Sequence, residues 1–381
     1  MASTSQIRIN KKALRKNLEF IRELLGKTKL SVVIKGNAYG HGIRTFLPLA
    51  EELGADHFSV YSSSEAMVAN EVKQPDTTIM VMGYIMEEDM EIIIQDNIEF
   101  YISDTNTLQL AIRWAKKLQK KAVVHIDVET GMNRTGLGVI DFEKIIPTLK
   151  ENCELLFIKG LTSHFAGAES IANYTRVIAQ FEVFNERAEY LEQHGIVPEL
   201  KHIGSSAAMI NYPRTKLDMI RSGIMVYGFW PTKETYIKHI HSKIDKTNPL
   251  ERIISWNSKV VITKVVPQGE FIGYGLSYQA QDDMLIMVVP VGYSNGYSRS
   301  LSNNGAVLVH GQYARVIGTV NMNMLICNIT HIPTIEVGDK VILIGSQGDN
   351  EITFASFSEM NDSLNYEILA RLPENIEREV F

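Results

Sequence analysis

The chain has 381 residues, 45% of them hydrophobic and 22% charged, and 38 basic against 44 acidic side chains leave a net charge of −6. That length exceeds one ordinary domain, and the composition is that of a globular chain with a sizeable core, so two domains are expected. A negative balance gives nucleic acid or an anionic membrane no attraction, and no run of about 18 apolar residues or signal-peptide pattern is present, so the cytoplasm is the expected compartment.

Over the first two-thirds, short β-branched runs alternate with amphipathic helical stretches. Residues 31–35 (SVVIK) read as a strand, and a glycine-rich turn leads into a helix through Leu47 and Leu53. Residues 57–61, 78–82, 99–103, 122–127, 155–158 and 200–203 continue the strands, and a last run over 219–227 closes the series. The longest helical patterns span 107–118 and 175–194, with apolar residues three and four apart. Lys116, Lys117, Lys120 and Lys121 cluster at a helix end, where cations suit the dipole, and read as a solvated face. Seven or eight strands, each followed by a helix, call for parallel pairing through right-handed crossovers. The span points to an eight-stranded α/β barrel of the TIM type, with an open sheet as the alternative.

His239 and His241 could suggest a metal, but without a cysteine or acidic motif they read as an exposed loop, and no metal is expected. After a polar stretch at residues 247–249 the pattern becomes short alternating strands with glycine turns. This predicts a barrel over residues 1–247 and an all-β domain over 248–381. Cys153 and Cys327, far apart in apolar or mixed segments, are expected as buried thiols in a reducing compartment.

Lys35 ends an apolar strand and so falls at the C-terminal mouth of the expected barrel, where barrel enzymes keep catalytic groups. Partial desolvation there would lower its pKa and free a nucleophilic amine. Taken alone, the position is better read as a surface lysine just past a strand. The adjoining residues shift that balance: GNAYGHG at 36–42 is a constrained turn with three glycines. With HIDVETGMNR at 125–134, SHFA at 163–166, SSAA at 205–208 and IRSGI at 220–224 running into Tyr227 and Gly228, it resembles the alanine racemase family. GYG at 273–275, VGYSNGY at 291–297, NMNM at 321–324 and NYE at 365–367 carry the resemblance through the second domain, in family order.

The resemblance implies a pyridoxal 5′-phosphate enzyme that racemises alanine, the D-isomer serving cell-wall precursors, with a serine or broad-specificity racemase as the alternative. Lys35 would carry the cofactor covalently. Tyr39, Ser206, the backbone of Gly223 and Ile224, and Tyr366 would hold its phosphate, a donor set that suits a dianion. SSAA also reads as a helix N-cap, which is compatible with that role. Arg221 would face the pyridine nitrogen, supported by His202. Because arginine keeps its proton, that nitrogen would stay unprotonated and the ring a weak electron sink, the opposite of the carboxylate used by aminotransferases and decarboxylases.

Racemisation needs a proton carrier on each face of a planar α-carbon. By the resemblance these are Lys35 and, from the second subunit, Tyr274, with His164 linked towards Arg221 and orienting the tyrosine. Taken singly, each histidine reads as a satisfied core group. A tyrosine lent by the β domain implies a head-to-tail homodimer with shared sites. Arg134 would contact the cofactor's phenolic oxygen and the substrate carboxylate. Met322 of the partner subunit would add a backbone amide to that carboxylate, and Tyr293 would crowd the entrance, so a small substrate is favoured.

Three positions depart from the family. Asp127 stands where many members carry a carbamate-modified lysine, and its carboxylate is expected to serve Arg134; ending a strand is the plainer reading. Asn323 and Asn295 replace common aspartates near the entrance, with relaxed specificity or neutrality as the readings. Two rival functions are a decarboxylase of the same architecture, which Arg221 argues against, and a non-catalytic cofactor-binding protein, which Tyr274 argues against.

Overall fold

The computed structural model describes residues 4–241, 243–353 and 365–381, and the side chains of residues 365 and 366 lie outside that description. The chain forms two compact units: residues 12–36 with 46–252, and residues 1–11 with 37–45 and 253–381.

The first strand, β1 (Ser5–Ile9), belongs to the second of these units. The first unit is built on β2 (Lys29–Val33), β3 (His57–Val60), β4 (Thr78–Val81), β5 (Glu99–Ile102), β6 (Ala122–Asp127), β7 (Leu156–Thr162), β8 (Leu200–His202) and β9 (Met219–Ser222). All neighbours pair in parallel in the order β8-β7-β6-β5-β4-β3-β2-β9. The ring nearly closes where β9 meets β8, through the Ser205–Arg221 bridge and Arg221 N–H donating to Gly204 O at 3.2 Å. This is the TIM-type barrel expected from the alternating pattern. β3 and β5 are buried at every position because one face fills the barrel and the other lies under helices.

Those helices start and stop on local chemistry. Asp104 caps Thr105–Leu118 by accepting from Thr107 N–H at 2.9 Å, worth about 1 kcal/mol. The helix ends as Gln119 turns left-handed at φ 52°. Tyr174–Gln193 buries Val177, Phe184, Ala188 and Leu191, three, four or seven residues apart. No helix among the described residues is long and apolar enough to cross a membrane.

The second unit carries β10 (Ile254–Lys259), β11 (Ile262–Val266), β12 (Met284–Val289), β13 (Ala306–Val309), β14 (Gln312–Val316), β15 (Leu325–Asn328), β16 (Lys340–Gln347), β17 (Asn350–Ile352) and β18 (Glu377–Val380). Its main sheet runs β11-β12-β15-β14-β13-β16-β10-β1-β18, so the N-terminal strand completes the C-terminal domain. Ile7 and Ile9 face the core beside fully buried Trp256 and Tyr297.

Several expectations are corrected. Residues 259–266 are not one strand: β10 ends at Lys259 and β11 starts at Ile262, because the chain changes partner between Val260, whose N–H still donates to Asp339 O beside β16, and Val261, whose N–H donates to Val288 O on β12. β2 stops at Val33, leaving Lys35 beyond it. Cys153 is exposed, on the turn after the helix Val139–Glu151; Cys327 is buried as expected. His239 and His241 lie in the helix Lys233–His241, not in a loop, and His239 packs edge-on against Phe20 at 5.1 Å.

Candidate active site

Lys35 follows β2 directly, since Ile34 N–H still donates to Ser59 O at 2.8 Å. Beyond it the backbone turns left-handed for five residues, with φ of 61°, 52°, 54°, 50° and 76° at Gly36, Asn37, Ala38, Tyr39 and Gly40. Glycine and asparagine tolerate this, but Ala38 and Tyr39 do so at a cost of roughly 1–2 kcal/mol each. The conformation is held locally: Gly42 N–H donates to Asn37 O at 2.9 Å, and Ile43 N–H donates to Asn37 Oδ1 at 2.9 Å. On the barrel side the Glu65 carboxylate takes Gly36 N–H at 2.6 Å and Tyr61 N–H at 2.9 Å, which fixes the exit of Lys35.

Burial lowers the Lys35 pKa, and the Arg134 guanidinium lowers it further; Glu65 opposes this and Arg221 adds to it. The amine is therefore a better base and nucleophile than a surface lysine.

Arg221, on β9, is buried and engaged through both terminal nitrogens. Nη1 donates to Thr162 Oγ1 at 3.1 Å, to His202 O at 3.2 Å and to His202 Nδ1. Nη2 donates to Ser163 O at 2.7 Å and approaches His164 Nδ1 at 3.4 Å. Nε makes none of these contacts. Burial, reinforced by Arg221, Arg134 and Lys35, pushes the His164 pKa down to about 3, so its ring is neutral at physiological pH.

Asp127, at the end of β6, accepts from Ser103 Oγ at 3.0 Å. Burial raises its carboxyl to about 6 even though Ser103, Thr135, Arg221 and Arg134 all pull it down. No ion pair joins Asp127 to Arg134 among the described residues; the arginine acts on it through space. Arg134 sits on a loop organised by Glu129, whose carboxylate accepts from Met132 N–H at 2.7 Å and Asn133 N–H at 2.8 Å.

Ser206 opens the short helix Ser206–Asn211 after Ser205, which makes no side-chain cap. Its hydroxyl lies 2.9 Å from Ser222 Oγ and accepts from Gly223 N–H at 3.2 Å, which draws Ser206, Gly223 and the following Ile224 into one turn.

The remaining expected residues belong to the other unit. Tyr39 lies in the left-handed turn. Tyr274 sits between Gly273 and Gly275, both with positive φ, and is 75% exposed. Met322 and Tyr293 are also exposed, and the Met322 carbonyl accepts from Ser294 N–H at 3.0 Å. Asn323 Nδ2 donates to Ser294 Oγ at 2.8 Å and Asn295 Oδ1 accepts from Gly292 N–H at 3.1 Å, so each asparagine has a local partner. The Tyr366 side chain lies outside the described residues. Sequence reasoning gave no role to Glu65 and Glu129, which hold backbone amides, to Thr162, which meets Arg221, or to Ser222, which meets the Ser206 hydroxyl; Glu129 and Ser222 stand inside the family blocks, but Glu65 and Thr162 carry no motif.

An activated amine at the carboxyl ends of barrel strands puts the chain among α/β-barrel enzymes that work through lysine. Within that class it belongs to the alanine racemase family, whose N-terminal domain matches residues 9–231 and whose C-terminal domain matches residues 253–380. An alanine racemase of Caldanaerobacter subterraneus is 32% identical over 373 residues, spanning 97% of this chain and 92% of that one. The solved alanine racemase of Clostridium difficile 630 superposes with a TM-score of 0.90 at 29% identity, over 100% of this chain and 96% of that one. That of Bacillus anthracis, solved with bound L-Ala-P, gives 0.90 at 26% identity, over 100% and 96%.

Proposed function

We propose that this protein is a cytoplasmic enzyme that interconverts L- and D-alanine with pyridoxal 5′-phosphate as cofactor, and that it works as a homodimer. The observation that carries this reading is Arg221: both terminal nitrogens are tied into the barrel, while Nε remains to meet an acceptor such as a pyridine nitrogen. The donor set fits the cofactor elsewhere too. Lys35 offers a partly desolvated amine for its carbonyl carbon, and the turn of Ser206, Gly223 and Ile224 offers a hydroxyl and backbone amides for its phosphate; Tyr39 and Tyr366 enter this role through the family resemblance alone. When bound, the cofactor supplies the electron sink that acidifies the α-proton of an amino acid.

The side chains then divide the work. Lys35 takes or returns the α-proton on one face, and its lowered pKa makes the amine a readier proton carrier than a surface lysine. Tyr274 of the partner subunit serves the other face, and its exposure in a single chain suits a residue lent across an interface. Neutral His164 orients that phenol without adding positive charge beside Arg221. Arg134 pairs the substrate carboxylate, joined by the backbone amide of Met322 of the partner subunit, and Asp127 adds negative charge behind Arg134. The barrel unit, residues 12–36 with 46–252, would hold the cofactor through Lys35 and Arg221, and the β unit of the partner subunit would lend the tyrosine.

The test is to incubate the cofactor-loaded protein with L-alanine, L-serine and L-lysine separately and follow optical rotation. Alanine should decay to the racemic mixture, faster than the other two. No change with any of the three overturns the reading.

A further inference from the structure

A chain of buried polar groups leads from Arg221 through the barrel interior. His202 on β8 takes Arg221 Nη1 at its Nδ1, and its Nε2 lies 2.9 Å from Nδ1 of His125 on β6. His125 Nε2 lies 2.9 Å from Oε2 of Glu99 on β5, and the same oxygen is 3.2 Å from Nε2 of His57 on β3. His57 Nδ1 lies 2.9 Å from Ser31 Oγ on β2, which in turn meets Ser59 Oγ on β3. The three imidazoles are 0% exposed and Glu99 is 6% exposed. Barrel interiors are ordinarily filled with apolar layers, and each unpaired polar group placed there would be costly, so a fully connected polar run requires its own explanation.

The proton order along this run is set by its two ends. Burial would raise the Glu99 carboxyl, but hydrogen bonds from His125 and His57 hold it well below the usual carboxylate range. It is therefore an anion that only accepts. His57 and His125 must both carry their proton on Nε2, which leaves Nδ1 of His125 as a lone pair. Only Nε2–H of His202 can fill that lone pair, and Nδ1 of His202 is then free to accept from Arg221. Burial and the nearby Arg221 both keep His202 uncharged. The reverse order would turn His202 Nδ1–H towards Thr162 Oγ1, 3.2 Å away, but would also set it against Arg221 Nη1–H, the nearer neighbour of that nitrogen.

We infer that Glu99 is a positioning residue for Arg221: by accepting from His125 it sets the proton order of both imidazoles, so that a lone pair of His202 holds the guanidinium in place. The consequence for catalysis rests on Arg221 meeting the cofactor's pyridine nitrogen, as proposed above; the proton order itself does not.

NMR of the intact protein labelled with 15N-histidine, with and without cofactor, reads the tautomers. Nε2–H at His57, His125 and His202 is expected in both states, and Nδ1–H at His202 overturns the inference whether or not the protein racemises alanine. Glu99→Leu removes the acceptor. Its His125 and His202 should exchange tautomer, the visible absorption of the bound cofactor should shift, and kcat should fall about 10- to 100-fold, as for lost outer partners of liganded histidines, with KM changing far less. Glu99→Gln keeps an oxygen for His125 while His57 can turn its proton to Ser31, so His125 and His202 should keep their wild-type tautomers and the enzyme most of its kcat. A Leu variant with wild-type tautomers and kcat, or a Gln variant as slow as the Leu variant, overturns the inference. Should the Leu variant fail to fold, the wild-type tautomers and the Gln variant decide it.

Discussion

A Cβ built on Gly160 would lie 2.1 Å from Nδ1 of His125, so the barrel accepts no side chain at that point of β7. The two strands shift register between Val124 and His125, where the ring turns into the interior. Gly160→Ala should displace the imidazole and destabilise the fold by about 1–3 kcal/mol, the usual cost of overpacking. Urea denaturation checks this, and an unchanged midpoint would mean that the ring has room to move.

Asp127 gives a pH-dependent prediction. Its folded pKa of about 6 lies above the ordinary 3.8, so the folded state holds the proton more tightly. That contribution is full below about pH 4 and is lost as pH rises through 6. Asp127→Asn should therefore be more stable than the wild type at pH 8, by on the order of 2–3 kcal/mol, and close to it at pH 4. Its activity should fall, because Arg134 loses the anion behind it. Wild-type turnover and cofactor affinity in this variant would leave Asp127 as no more than a strand end.

The carboxylate of Glu129 ties down the loop that carries Arg134. Glu129→Ala should loosen that loop and raise KM for alanine about tenfold, the scale of one lost charged hydrogen bond. Thermal stability should change far less, since the bonds it makes are confined to that loop. Steady-state kinetics and a melting curve separate the two effects.

Lys35→Ala should lose the visible absorption of the bound cofactor and at least roughly three orders of magnitude in kcat. A variant that keeps both would show that another amine holds the cofactor.

The sequence revealed the barrel because its strands are apolar runs separated by helices of matching period; the candidate site residues came from the family blocks, of which Lys35, Asp127 and Arg221 fall at or near strand ends. β1 escaped notice: five residues with Arg8 turned outward gain their meaning only from β10, whose partner residues lie almost 250 positions away. The left-handed turn was half legible. Gly36, Asn37 and Gly40 advertise it, whereas Ala38 and Tyr39 adopt it against their preference because the surrounding bonds leave no alternative. Glu99 and His57 gave no signal, since a polar residue in a strand normally points to water, and only the closed ring turns these inward. Cys153 read as buried from its composition alone but sits on a turn.

Solvent-deuterium exchange in Tyr274→Phe tests the two-carrier claim most directly. Given each enantiomer of alanine separately in deuterated water, the variant should exchange the α-hydrogen of one enantiomer without inverting it and leave the other nearly untouched, because only the face served by Lys35 remains active. Racemisation at the wild-type rate, with deuterium entering both enantiomers, would contradict the account.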